Sequence, residues 1–353
     1  MIKSVNAYAA ASATAPLALH PITRRLPRPD DVEIDTLCCG VCHSDLHTAR
    51  NDWGWTRYPI VPGHEIIGWM VVVSCQVNRF KAGDRGGVGC MVDACGHCEA
   101  CEEGHEQHCS ETATYTYGAP DRIDGSLTQG GYSEKVVVKE GFVVRIPDNL
   151  ALQGAAPLLC AGITTWSPLK NADIGPGSRV AVVGLGGLGH MAIKLAKAMG
   201  AEVTLFTRSP GKEEDAHRLG ADRVVISTDA AQMAQVAGHF HLIVDTVPYV
   251  HDLNAYIPTL RFKGSLVLVG YLGPLEPALD SMPMVIGGKA VAASMIGGMA
   301  ATQEMLDFCG QHDIVSDVEV IAMQDINDAY ERMLKSDVKY RFVIDMASLK
   351  VEA

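Results

Sequence analysis

Four cysteines crowd into one loop, Cys95-x2-Cys98-x2-Cys101-x7-Cys109. Thiolates this close suit a tetrahedral zinc whose every position is taken by protein, a site that holds structure. Bacterial iron–sulfur runs place three residues before the fourth cysteine and a proline after it. Here the gap is seven and Ser110 follows. A nucleic-acid-binding finger needs a basic helix, and a thioredoxin-like pair needs a strand-to-helix turn. This Gly/Glu/His-rich loop offers neither.

A second set is scattered. Cys42 lies in Gly40-Val-Cys-His-Ser-Asp-Leu-His47, His64 in Pro62-Gly-His-Glu-Ile-Ile-Gly68, and Cys160 in Leu158-Leu-Cys-Ala-Gly162. Two thiolates and one imidazole make three protein ligands with a fourth position open, the arrangement of a catalytic zinc. Spacing alone leaves this undecided. Taken singly, each cysteine reads more readily as a small buried hydrophobe than as a ligand, and His64 as a hydrogen-bonded core histidine.

The third feature is Gly184-Leu185-Gly186-Gly187-Leu188-Gly189, directly after a strand-like run and opening a helical one. Gly184 permits the tight turn, Gly186 lets backbone approach a pyrophosphate, and Gly189 allows helix to pack on strand. The helix N-terminus then offers oriented N–H groups to phosphate. An NAD site wants an acid at the end of the second strand. The segment Phe206-Thr207-Arg208-Ser209-Pro-Gly-Lys212 has none between Glu202 and Glu213. Arg208 and Lys212 can neutralise a 2′-phosphate while Thr207 and Ser209 donate to it, so the expected cofactor is NADP(H).

These residues need elements to hold them. A chain of 353 residues, 48% hydrophobic, predicts two domains with sizeable cores. From Ser178 onward, Arg179–Val183, Val203–Phe206, Val224–Ile226, His241–Asp245 and Ser265–Val269 read as strands. Helical runs lie over Leu188–Met199, Lys212–Leu219 and near His251–Leu260. That alternation predicts an α/β fold with a doubly wound parallel sheet. Around it, short strands such as Gly68–Val77 and Gly131–Val138 precede it. Helices over Thr302–Cys309 and Asp325–Leu334 and a strand over Tyr340–Asp345 follow it. Acidic residues number 41 and basic ones 29, a formal charge of −12, which disfavours nucleic acid and anionic membrane surfaces. No apolar run reaches membrane-spanning length. The Ala7–Ala18 stretch lacks a Leu/Ile/Val run and is broken by Ser12, Thr14 and Pro16, so it is not read as a signal peptide. Metal-spaced thiolates fit a reducing compartment, and the cytoplasm is expected.

As a set, these motifs resemble the zinc-dependent medium-chain alcohol dehydrogenases. The nearest branch is the NADP-dependent, cinnamyl-alcohol-dehydrogenase-like one with its bacterial broad-range aldehyde reductases. The resemblance runs from Ala7-Tyr-Ala-Ala to Tyr340-Arg-Phe-Val-Ile-Asp345. It implies a Rossmann domain at 151–290 and a β-rich, GroES-like catalytic domain built from 1–150 and 291–353. It also implies two zinc ions per chain. Cys42, His64 and Cys160 would hold the catalytic one, with Glu65 behind it. Cys95, Cys98, Cys101 and Cys109 would hold the structural one. Ser44 and His47 resemble the proton relay, and Asp45 the partner that orients His64. Thr164, Thr246, Gly270 and Ser294-Met295-Ile296 fall where the family holds NADP, and Arg341 where it meets the pyrophosphate. By position Thr48, Trp53, Trp55, Cys90 and Tyr115 line the substrate pocket, and the two tryptophans are expected to narrow it.

The implied reaction is reversible hydride transfer between NADP(H) and an aldehyde or primary alcohol, aliphatic or aromatic. An NAD-linked polyol dehydrogenase of the same superfamily is the rival enzyme. A non-catalytic NADPH-binding zinc protein is the rival from another class. The resemblance suggests a homodimer, with Ser265–Val269 and the apolar stretch after it as the edge.

Overall fold

The computed structural model describes residues 3–352. Residues up to Cys160 and from Gly297 onward form one compact unit, and Ala161–Ile296 form the other. These edges compare with 150 and 290 expected from the sequence. The first falls later because the helix Leu152–Ala155 and the 3-10 turn Ala156–Leu159 pack on the long strand Asp31–Val41 of the first unit.

The second unit carries six parallel strands. Their order is Arg223–Ile226, Glu202–Thr207, Arg179–Val183, Phe240–Asp245, Leu260–Leu268 and Ala290–Ala293. This is the doubly wound sheet. Strand order reverses beside Arg179–Val183, the point where α/β sheets open a crevice for ligands. Val180, Ala181, Val182 and Val183 are buried on both faces, which accounts for their unbroken apolar run. Phe206 meets Phe240 edge-on at 5.3 Å and Tyr256 at 5.3 Å. Each such pair contributes about 0.5–1.5 kcal/mol beyond its buried area.

Two sequence expectations fail here. The stretch near His251–Leu260 is not an α-helix, since only a 3-10 turn Ile257–Thr259 forms before the strand at Leu260. Asp252 accepts the Asn254 N–H at 2.9 Å, a local turn that competes with helix, and Pro258 lacks a donor. Nor is Ser265–Val269 an edge. Ser265–Leu268 pairs on one side with Phe240–Asp245 and on the other with Ala290–Ala293, which is the outer strand.

The first unit is built on a seven-stranded sheet. Along it lie Val144–Arg145, Arg85–Val88, Ile66–Val73, Asp31–Val41, Arg341–Asp345 and Val318–Ala322, with Lys135–Lys139 also paired to Asp31–Val41. Asp31–Val41 and Ile66–Val73 are antiparallel neighbours, Cys39 opposite Ile66. The C-terminal end of one therefore lies beside the N-terminal start of the other. The cysteine loop is tied down separately. Glu106, in the 3-10 turn Glu106–His108, accepts the Met299 N–H at 3.0 Å, at the first turn of the helix Met299–His312. Among the described residues, no helix is long and apolar enough to cross a membrane.

Candidate active site

The paired strand ends bring the scattered ligands together. Cys42 directly follows Asp31–Val41 and caps the helix His43–Arg50, while His64 and Glu65 directly precede Ile66–Val73. The Gly40 N–H donates to the Glu65 carbonyl at 2.9 Å. A Cβ at Gly40 would lie 1.9 Å from Glu65 Oε2, so only glycine fits. Cys160 arrives from the end of the turn Ala156–Leu159. One ligand atom each from Cys42, His64, Glu65 and Cys160 lies within 4.8 Å of the others, and all four residues are buried. The Cys42 and Cys160 sulfurs are 4.0 Å apart, close to the roughly 3.8 Å that two thiolates span on tetrahedral zinc.

Asp45, with no exposed surface, organises this cluster. Its Oδ2 accepts the Cys42 N–H at 2.8 Å and the Tyr132 hydroxyl at 3.3 Å. Its Oδ1 accepts the Gly63 N–H at 3.0 Å and lies 3.0 Å from His64 Nδ1. With the Nδ1 proton directed at a carboxylate, the His64 Nε2 lone pair is left for a metal. Tyr117 Oη is a further neighbour of Nδ1 at 3.2 Å. Glu65 is fully buried; one oxygen takes Arg341 and the other, Oε2, has no hydrogen-bond partner. Burial pushes its carboxyl up to about 8 against the pull of Arg341. A buried carboxylate oxygen within 4.8 Å of two thiols and an imidazole fits a cation.

Around the cluster, Ser44 Oγ lies 3.7 Å from Cys42 Sγ. His47 Nδ1 lies 2.7 Å from Asp52 Oδ2, and its ring is 5.5 Å from Trp53. Asp52 was not legible in the sequence. Asn51 ends the helix in the left-handed region, φ 58°, and turns the chain so that Asp52 faces back onto His47. An asparagine just past a helix was the available signal. Thr48 is buried, Cys90 half-buried against Cys160 and His64, and Trp55 is 67% exposed beside Trp53. Tyr115 lies at the surface on the strand Thr114–Tyr115.

The four loop cysteines also fit a metal. Their sulfurs lie within 4.8 Å of one another, Cys95 to Cys101 at 3.8 Å. Backbone N–H groups of Cys98, Cys95 and Ser110 point at the sulfurs of Cys95, Cys109 and Cys98. Donation from Ser110 pulls the Cys98 thiol well down from its ordinary value, the state a metal binds.

In the second unit, Gly184 has φ +90° and makes the turn out of Arg179–Val183. A Cβ on Gly189 would strike the Gly184 carbonyl at 2.1 Å, whereas a Cβ on Gly186 would meet nothing within 4 Å. Helix packs on turn at one glycine and backbone is open to a ligand at the other, which fits a pyrophosphate. Thr246 Oγ1 donates to the Val183 carbonyl at 2.8 Å and the Ser294 N–H to Leu268 at 2.9 Å. The Ile296 carbonyl accepts the Ser167 hydroxyl at 2.6 Å. Thr164 is buried in the helix Ala161–Asn171, and Gly270 and Met295 are exposed. Thr207, Arg208, Ser209 and Lys212 follow one another out of the strand Glu202–Thr207 without a carboxylate among them. Arg341 belongs to the first unit, where its guanidinium is engaged by Glu65.

Residues 28–148 match the family model described as the alcohol dehydrogenase GroES-like domain, and residues 187–311 match zinc-binding dehydrogenase. The chain is 51% identical over 351 residues to the NADP-dependent alcohol dehydrogenase C 1 of Mycolicibacterium smegmatis, covering 99% of this chain and 100% of that one. It is also 51% identical to the aldehyde reductase YahK of Escherichia coli, covering 99% of each. A cinnamyl alcohol dehydrogenase structure from Sorghum bicolor superposes with a TM-score of 0.94 at 46% identity, covering 98% of both chains. With likeness along the whole chain and both domain models matched, this protein belongs to the zinc-binding medium-chain alcohol dehydrogenases.

Proposed function

We propose that this protein reduces aldehydes to primary alcohols with NADPH, reversibly, using two bound zinc ions per chain. The observation that carries the reading is the buried Cys42–His64–Cys160 cluster with a hydroxyl, Ser44 Oγ, 3.7 Å from one of its sulfurs. Bound zinc supplies Lewis-acid polarisation of the carbonyl, and NADPH supplies the hydride. Cys42, His64 and Cys160 would hold that zinc, and Cys95, Cys98, Cys101 and Cys109 the structural one. Glu65 holds a carboxylate oxygen beside the ligands. The Ser44 hydroxyl gives up the proton that the product oxygen takes. His47, with its side chain 29% exposed, restores that proton from solvent while Asp52 fixes the ring. Gly184–Gly189 receives the pyrophosphate, and Thr207, Arg208, Ser209 and Lys212 receive the 2′-phosphate. Thr164, Thr246, Gly270 and Ser294–Ile296 line the rest of the cofactor's path. Thr48, Trp53, Trp55 and Cys90 face the substrate.

Two further assignments belong to this reading. A homodimer is supported by the outer strand Ala290–Ala293, the exposed Phe262 on the neighbouring strand Leu260–Leu268, and the exposed Met282, Val285 and Ile286 shortly before the outer strand in the chain. Eleven cysteines without a disulfide suit the cytoplasm.

The test is nicotinamide absorbance with a panel of aldehydes, NADPH and NADH in parallel, before and after chelation. Oxidation of NADPH in preference to NADH, lost when zinc is removed, is expected. No turnover with either cofactor in protein holding two zincs would reject the reading.

A further inference from the structure

The strands Glu202–Thr207 and Phe240–Asp245 flank Arg179–Val183 on opposite sides. At the usual strand spacing they lie about 10 Å apart. Arg208 follows the first and Tyr249 lies on the loop after the second, yet Arg208 Nη2 donates to Tyr249 Oη at 3.1 Å. The bridge therefore passes across the end of the strand from which the glycine loop springs. An arginine on an exposed turn otherwise spreads over many rotamers. One bond to the phenol uses one of its five N–H groups and leaves the rest for an anion.

The backbone that carries this phenol is itself held. His251 Nδ1 lies 2.9 Å from the Tyr249 carbonyl, which can only accept, so that nitrogen carries a proton. Its Nε2 lies 3.0 Å from Asp245 Oδ2, a carboxylate 1% exposed. The nearby Asp245 carboxylate raises the histidine above its ordinary pKa. The His251 ring stands edge-on to Tyr256, and Tyr256 packs on Phe206, two residues before Arg208. The circuit closes on the strand where it began.

We propose that Tyr249, held by the Asp245–His251 pair, is a cofactor-specificity residue that positions the Arg208 guanidinium for the adenosine 2′-phosphate. The proposal rests on the NADPH reading above. Its test is calorimetric binding of adenosine 2′,5′-bisphosphate against 5′-AMP, which needs no turnover. Wild type favours the bisphosphate. Tyr249→Phe keeps the ring, weakens the bisphosphate about fivefold and leaves 5′-AMP unchanged. In an Arg208→Gln background the same substitution has no further effect, because there is no guanidinium to position. Wild type that binds both nucleotides equally would overturn the NADPH reading and the proposal together. Wild type that favours the bisphosphate, with Tyr249→Phe equal to it, would overturn the proposal alone. So would an equal loss from Tyr249→Phe with and without Arg208.

Discussion

Cys95, Cys98, Cys101 and Cys109 are gathered by one loop, whereas Cys42, His64 and Cys160 come from two strand ends and a 3-10 turn. The loop cluster draws its hydrogen bonds from backbone N–H groups of the same loop and of Ser110 directly after it. The buried cluster draws on Asp45, Glu65, Tyr117, Tyr132 and Arg341, spread over much of the first unit. A closed site needs only its own loop. An open site must keep its ligands aimed while one position exchanges, and side chains from elsewhere do the aiming.

The sharpest way to break this comparison is to remove one ligand from each cluster. Cys42→Ser or His64→Ala is expected to abolish turnover while NADPH still binds and about one zinc per chain remains. Cys101→Ser is expected instead to lower Tm by about 5–10 °C. Metal content and melting curves measured side by side decide it; identical signatures from the two substitutions would erase the distinction. His47→Ala should slow turnover by about 10²-fold. A wild-type rate from pH 6 to 9 would take His47 out of the relay. Asp45→Asn keeps the volume and is expected to cost about 10–100-fold in metal affinity or activity, read by competition with a chromogenic chelator. Undiminished retention would mean that the buried carboxylate does not aim His64. The smallest effect is expected of Asp52→Asn, about three- to tenfold in kcat, with zinc content unchanged. A loss of zinc there would move Asp52 from the relay to the metal.

The loop cluster was legible because its ligands are near neighbours in sequence and spacing alone carries the geometry. The parallel sheet was legible for the same kind of reason, since apolar runs such as Arg179–Val183 alternate with helical periods. The buried cluster was not, because nothing local relates Cys42 to Cys160; the family resemblance supplied that pairing. Asp52 and Tyr249 escaped for a different reason. Each depends on a loop conformation, one at Asn51 and one after Asp245, that apolar periodicity does not encode. The expected helix near His251–Leu260 failed where an Asx turn and Pro258 outweighed apolar spacing. The misplaced sheet edge had no local signal, since Ala290–Ala293 is too short and too mild in composition to announce a sixth strand.

The carboxylate of Glu106 gives the cysteine loop a second duty. By accepting the Met299 N–H it supplies an acidic cap to a fourteen-residue helix whose cap residue, Gly298, has no side chain to offer. The loop is therefore not a detachable module. Excising it, or transplanting a shorter segment in its place, would strip a distant helix of its terminator as well as removing a metal. An engineer who wants this scaffold without the metal would have to restore that acceptor by other means.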